Sequence, residues 1–193
     1  MISEESARKI LKPYEKDIQD CILSAWNSYH QYPSRHIHTP RTRACIIHDH
    51  MVDNARSRFE NRDGIRTYEI GGLFIVEIEE KILIRFKKLD EDKLSCNIPT
   101  QQALEFLGQM ELPYMPPKAT RLIAGYELNS LQTAINAVSI TCPNGSRNEW
   151  YYDLETEMAE IVNLPTQSEI VEEAERIIIK HKESTQEGHG QNH

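Results

Sequence analysis

The chain has 193 residues, enough for one domain with a buried core, or one domain plus an appendage, but too few for two complete domains. Its longest apolar run, GGLFIV, is too short to span a bilayer, and its charged N-terminus lacks the apolar core of a secretory signal, so we expect a cytoplasmic protein. The net charge of −8 lies entirely from Glu149 onward, which argues against nucleic acid as the partner, because such binding requires cations that neutralise phosphates.

The first third of the chain reads as helical. Apolar residues recur at steps of three and four over residues 3–31, which predicts an amphipathic helix. Proline inside a helix costs about 3 kcal/mol, so Pro13 predicts a short helix followed by a new one that starts near Lys12. After a loop over Tyr32–Pro40, a second amphipathic helix is predicted from its apolar stripe: Ala44, Ile47, Met51, Ala55 and Phe59.

The hydrophobic period then changes to two. Residues 74–79 and 82–87 alternate between apolar and polar, which predicts two strands of a hairpin around a tight EEK loop. A short strand over Tyr68–Ile70 is expected before them. On the polar face of the hairpin, we expect glutamates of the first strand to form weak, exposed ion pairs with Arg85 or Lys87 of the second.

A helix and three strands follow. PTQQALEFLGQ predicts a short helix that opens at Pro99 and Thr100. Its inward-facing residues are expected to be Ala103, Leu104, Phe106 and Leu107. The proline-rich LPYMPPK predicts a rigid linker. Strands are predicted over residues 120–128, 137–142 and 149–154, with a helical NSLQTAIN segment between the first two and a PNGSRN turn between the last two.

This order of elements predicts an α+β domain over residues 1–164, with N-terminal helices packed on a mostly antiparallel sheet. Residues 165–193 predict a separate unit, an acidic amphipathic helix with a polar tail, since Thr166 and Glu169 have the spacing of a capping box. The apolar stripe of this helix consists of Ile170, Ala174, Ile177 and Ile178. The stripe either packs on its own domain or docks in the groove of another protein.

Metal and cofactor sites find little support in the sequence. His48 and His50 cannot chelate one ion from a helix, because residues two apart point about 200° from each other, and His36 and His38 could do so only from an extended loop. Four widely spaced cysteines without a CxxC pair predict free, mostly buried thiols. We expect no metal, no cofactor and no catalytic residue.

Two patterns would suit a protein that acts on nucleic acid. Glu77, Glu79 and Lys81 match part of the PD-(D/E)xK nuclease pattern, but the Glu-Glu-Lys letters fall on the predicted turn. A basic surface would form if the arginines near the second amphipathic helix met the basic end of the hairpin. Those arginines are Arg41, Arg43, Arg56 and Arg58.

Four stretches carry a family resemblance: RTRA at Arg41–Ala44, MVDNARSRF at Met51–Phe59, RFKKLDEDKLSCNIPTQQALEF at Arg85–Phe106, and EWYYDLE at Glu149–Glu155. They resemble small bacterial and prophage proteins whose genes lie beside genes for helix-turn-helix, ImmA/IrrE-type metallopeptidase proteins. The resemblance covers about residues 10–154. It implies a toxin–antitoxin pair in which the smaller protein is the antitoxin, and it implies no catalytic residues.

The leading hypothesis is therefore a non-enzymatic, cytoplasmic protein that binds and restrains a partner protein, namely a metallopeptidase-type toxin encoded nearby. The alternatives are a nucleic-acid-acting protein, either a nuclease or an RNA or DNA binder, and a structural phage or host component. Partner contacts are predicted on the stripe of the C-terminal helix and on a second surface. That second surface consists of Arg85, Lys87, Lys88 and Asn97.

Overall fold

The structure is a computed structural model that describes residues 1–96, 100–111 and 115–155. Asn97 and the predicted C-terminal helix, with Ile170, Ala174, Ile177 and Ile178, lie outside the described residues. Within the described ranges, every helix is too short or too polar to cross a membrane.

Three helices precede the sheet: α1 at Glu4–Leu11, α2 at Glu15–His30 and α3 at Pro40–Phe59, with a short 3-10 helix at Arg35–Ile37 before α3. Ser3 and Thr39 begin α1 and α3 as N-caps, because their hydroxyls accept hydrogen bonds from the backbone N–H of Ser6 and Thr42. The predicted break at Pro13 is confirmed, but α2 begins at Glu15 and not near Lys12.

The described strands form one six-stranded sheet in sequential order, β1 to β6. They are β1 at Ile65–Ile70, β2 at Leu73–Ile78, β3 at Ile82–Lys88, β4 at Thr120–Leu128, β5 at Ile135–Asn144 and β6 at Arg147–Asp153. All neighbours pair antiparallel except β3 and β4, which are parallel and are connected through α4 at Gln101–Leu107. The predicted α+β class and the mostly antiparallel sheet are confirmed.

Both faces of the sheet are covered in its central part. Alternate residues of β3, Ile84 and Phe86, pack in the core that includes α1, α2 and α3. Leu83 packs on the opposite face with Ile123 of β4 and Phe106 of α4. Because α4 covers this second face, side chains of β3 that point toward it are buried even where they are polar.

Three local predictions are wrong. NSLQTAIN is a turn and the start of β5, because the Asn129 carboxamide accepts hydrogen bonds from the backbone N–H of Thr133 and Ala134. Leu104 is 51% exposed, since only one side of the two-turn α4 meets the sheet. Two cysteines are exposed: Cys45 and Cys96.

The contact between β3 and β4 leaves no room at Gly125. A β-carbon added there would lie 2.5 Å from the Lys87 carbonyl oxygen and 2.6 Å from the Cγ atom of Leu89. Glycine therefore permits β4 to pass close beneath the chain as it leaves β3.

We expect Gly125→Ala to lower the free energy of unfolding by about 1 to 3 kcal/mol, because the added methyl group overfills this contact. Gly108→Ala is the matched control: Gly108 ends α4 at φ −78°, and an added β-carbon would lie 3.1 Å from the Leu104 carbonyl oxygen, a milder contact that should change stability by less than about 1 kcal/mol. Urea unfolding of the two variants measures both effects, and equal losses would show that the β3–β4 contact is not restrictive.

Candidate functional site

The pairing of β2 with β3 ends early. It runs from Ile78–Ile82 to Val76–Ile84, whereas β3 continues beside β4 as far as Lys88. The last four residues of β3 thus pair with a strand on one side only. On the other side, the Phe86 backbone lies close enough to His48 of α3 to oppose slightly the lowering of its pKa, while the His48 Nδ1 atom is buried without a hydrogen-bond partner among the described residues.

Arg85 lies in this region and is only 4% exposed. Its guanidinium carbon is 5.1 Å from the centre of the Phe106 ring, and its Nη1 atom has no hydrogen-bond partner. No described residue forms an ion pair or hydrogen bond with Arg85. Buried charges are normally paired, so this arginine is an exception that requires a physical explanation.

The expected ion pairs between β2 glutamates and Arg85 or Lys87 are absent among the described residues. Glu77 lies on the same face of the sheet but is itself buried, accepts a hydrogen bond from the Tyr68 hydroxyl and is 3.9 Å from Arg66. The prediction failed because it treated this face as solvent-exposed. In the structure, Glu77 is satisfied by β1 and Arg85 is left under α4.

Arg121 of β4 is a buried arginine on the same face that does have hydrogen-bond partners. It is 2% exposed, and its Nη1 donates to the carbonyl oxygens of Gln109 and Ala119, each at 3.1 Å. Its Nε and Nη2 atoms lack partners, yet the nearby Glu111 carboxylate offsets part of the burial effect on its pKa. For Arg85, the described residues provide neither a carbonyl acceptor nor an acid that offsets its burial.

We call His48, Arg85 and Lys87 the basic cluster. Burial lowers the pKa of Arg85 to about 10. Burial and the neighbouring Arg85 charge lower the pKa of Lys87 to about 8. Burial, with smaller effects from Lys87 and Arg85, lowers the pKa of His48 to about 4. At neutral pH the cluster therefore holds two positive charges beside a neutral imidazole.

The basic cluster is costly to the folded chain. Removing one ion from water costs several kcal/mol even after relaxation, and the total stability of a domain is about 5 to 15 kcal/mol. Cation–π contact with Phe106 returns about 1 to 2 kcal/mol of that cost. A bound anion would offset the rest, since guanidinium and ammonium groups are the usual ligands for carboxylate and phosphate oxygens.

Lys88, which was predicted to share a partner-binding surface with Arg85 and Lys87, lies in a different environment. It borders a cavity of about 350 Å³ whose lining includes four acidic residues. The acidic residues are Asp90, Glu91, Asp92 and Glu127. Lys93 forms ion pairs in this region: its buried ammonium lies 2.6 Å from the Glu127 carboxylate and 3.3 Å from that of Asp153. The structure thus brings Arg85 and Lys87 together and separates Lys88 from them.

The nuclease-like residues are not gathered at one place. Glu79 and Lys81 lie in the β2–β3 turn, 2.9 Å apart as an exposed ion pair, while Glu77 is buried on the sheet. Arginines of α3 are also engaged elsewhere: Arg56 pairs with Glu69 of β1 at 2.7 Å. Arg58 pairs likewise with acidic residues of α2, Asp17 and Asp20.

Comparisons of the chain with protein-family models, with curated proteins and with solved structures found no match. The family resemblance stays a prediction, and the geometry of the basic cluster is the basis for assigning a function.

Sequence reasoning missed one member of the basic cluster. His48 was considered only as a metal ligand, although it directly follows Ile47 of the buried α3 stripe. That position on the helix predicts a side chain at the border of the core, which is where a histidine can contact strand backbone. Its partners on β3 could not be predicted, because they depend on how α3 crosses the sheet.

Substituting the unpaired arginine should stabilise the free protein. We expect Arg85→Met to raise the free energy of unfolding by about 1 to 4 kcal/mol, since an apolar side chain of similar length replaces an unpaired buried charge and still packs on Phe106. Arg121→Met is the matched control and should lose about 1 to 3 kcal/mol, because two buried carbonyls lose their donor. Urea unfolding distinguishes them, and a comparable loss in both variants would mean that Arg85 has a stabilising partner.

Lys87 should give the stability an alkaline pH dependence. Its pKa is about 8 in the folded chain and 10.5 in the unfolded chain, so the unfolded chain binds more protons between these values. The stabilisation gained by Lys87→Met should therefore be largest, up to about 3 kcal/mol, below pH 8 and should disappear as pH approaches 10.5. Lys81→Met, at an exposed ion pair, serves as the control. A pH-independent difference between wild type and Lys87→Met would contradict the assignment.

Proposed function

We propose that the chain is a non-enzymatic binding protein that holds another protein through the basic cluster. The observation that carries this proposal is Arg85, a buried guanidinium for which the described part of the chain supplies no counter-charge, on a face of the sheet where Arg121 and Lys93 have partners. A charge that destabilises the free protein is useful if a partner supplies the missing anion. The partner's anion then pairs with the Arg85 charge, and this pairing stabilises the complex instead of the free protein.

The family resemblance supports a specific form of this function, an antitoxin that neutralises an ImmA/IrrE-type toxin in a cytoplasmic toxin–antitoxin or phage-defence module. Neutralisation of this kind requires no chemistry by the chain itself. A protein that blocks the active cleft of its partner, or keeps the partner in an inactive complex, restrains it by binding alone.

Charge favours a protein partner over nucleic acid. The cavity beside Lys88 is lined by four carboxylates, which would repel a phosphate backbone that extended from the basic cluster. Arg56 and Arg58 are engaged in ion pairs and do not extend the positive surface. An isolated acidic side chain of a protein carries one negative charge and is repelled less than a phosphate backbone.

Co-expression with the neighbouring toxin gene tests the proposal. Wild-type protein should restore growth and co-purify with the toxin, whereas Arg85→Met should lose at least about 30-fold in affinity, which corresponds to the 2 to 5 kcal/mol typical of a truncated buried charge pair. Lys81→Met removes an exposed positive charge and should behave as wild type.

Because Arg85→Met is expected to be more stable than wild type, lost rescue cannot be assigned to unfolding. Growth that wild type fails to restore would refute the antitoxin proposal. Full rescue and undiminished affinity with Arg85→Met would show that the partner binds elsewhere.

A further inference from the structure

We infer that the basic cluster is a receptor for a single carboxylate, supplied by an aspartate or glutamate side chain of the partner protein and held between Arg85 and Lys87. This inference rests on the proposed function, because it names the chemical group through which the partner is held.

The first argument is the unused hydrogen-bonding capacity of Arg85. Its Nη1 is buried without an acceptor, and the whole side chain is 4% exposed, so water does not satisfy it as it would at the surface. The guanidinium carbon already lies over the Phe106 ring. Its N–H groups lie in the plane of the guanidinium and suit the two oxygens of a carboxylate.

The second argument is that the pairing of β3 with β2 ends before Arg85. Beyond Val76–Ile84, no described strand pairs with the side of β3 that faces β2, where the Cys96 N–H donates to the Lys88 carbonyl oxygen and His48 lies near the Phe86 backbone. Lys87 is only partly buried and forms no ion pair with a described residue. An anion that approached the cluster from the Lys87 side would therefore displace no counter-ion belonging to a described residue.

The third argument concerns the size of the ligand charge. The cluster offers two positive charges, and the acidic cavity beside Lys88 lies directly after it along the chain. One carboxylate brings a single negative charge between these two cations, whereas a polyphosphate would place further negative charge against Asp90, Glu91 and Asp92. The site is thus better suited to a side chain of a protein than to a nucleic-acid backbone.

Binding of an anion must also change the protonation of the cluster. A nearby negative charge favours the charged form of Lys87 and opposes the burial that lowers its pKa to about 8. The bound state then takes up protons near pH 8, and the affinity falls as the pH rises above that value. A ligand bound at an unrelated surface would leave the titration of Lys87 unchanged.

The test uses the isolated 193-residue chain with sodium acetate as the probe and acetamide as the neutral control. Acetate replaces sodium chloride in equal amounts, so that the ionic strength is constant. NMR of the lysine side-chain resonances follows the Lys87 titration. Acetate should raise the pKa of Lys87 by at least about one unit and raise the melting temperature, while acetamide should do neither. Arg85→Met should lose both the shift in the Lys87 pKa and the rise in melting temperature. Lys87→Met should lose the rise in melting temperature, and Lys81→Met should keep both responses.

Lys87→Met provides an independent variant if Arg85→Met disturbs the packing around Phe106, because its melting temperature alone shows whether the response to acetate is lost. An unchanged Lys87 titration in acetate, or an equal response to acetamide, would overturn the inference. A response to phosphate or to a single-stranded oligonucleotide that exceeds the response to acetate would overturn it as well, because the site would then recognise phosphate.

These outcomes are separable from those of the proposed function. Acetate binding without growth rescue would support the carboxylate receptor and refute the antitoxin role. Rescue that survives Arg85→Met, together with no acetate response, would refute the receptor and leave partner binding to another surface.

Discussion

The feature on which the structure depends is that its central sheet is covered on both faces. Helices α1 to α3 pack on one side of β3, and the crossover that carries α4 packs on the other. A strand in this position buries successive side chains, from Ile82 to Phe86 in β3, whatever their polarity, because alternation no longer separates core from solvent. The hairpin therefore places Glu77 and Arg85 in the interior, and each must find a partner there or remain unsatisfied.

The chain solves this problem differently for three buried cations. Lys93 forms ion pairs with Glu127 and Asp153, and Arg121 donates to two carbonyl oxygens near the crossover. Within residues 1–96, 100–111 and 115–155, Arg85 is stabilised only by an aromatic ring. Since the first two solutions exist on the same face, the fold does not lack the means to satisfy a buried cation. The unpaired state of Arg85 is therefore specific to its position, where β2 has separated from β3 and no acceptor replaces it.

Much of the fold could be predicted because its signals are local. The stripe of α3 from Ile47 to Phe59, the Thr100 cap of α4 and the alternation in β3 each depend on neighbours within a few residues. The environment of Arg85 could not be predicted, because it depends on α4, which follows it in the chain, and on α3, which precedes it. The same limit applies to NSLQTAIN, where one side chain, that of Asn129, selects a turn over a helix of reasonable propensity.

The unsatisfied cluster also explains why stability and binding should oppose each other at this site. A domain with about 5 to 15 kcal/mol of stability can retain one unpaired buried charge only if the rest of the core compensates for it. Here the second face contributes Ile75, Leu83, Ile123 and Phe106, all fully or almost fully buried. Selection for stability alone would replace Arg85 with an apolar residue, since its neighbours Leu83 and Ile123 show that the site accepts one. Retention of the arginine is physically reasonable when the bound state, and not the free chain, is the state in which its charge is paired.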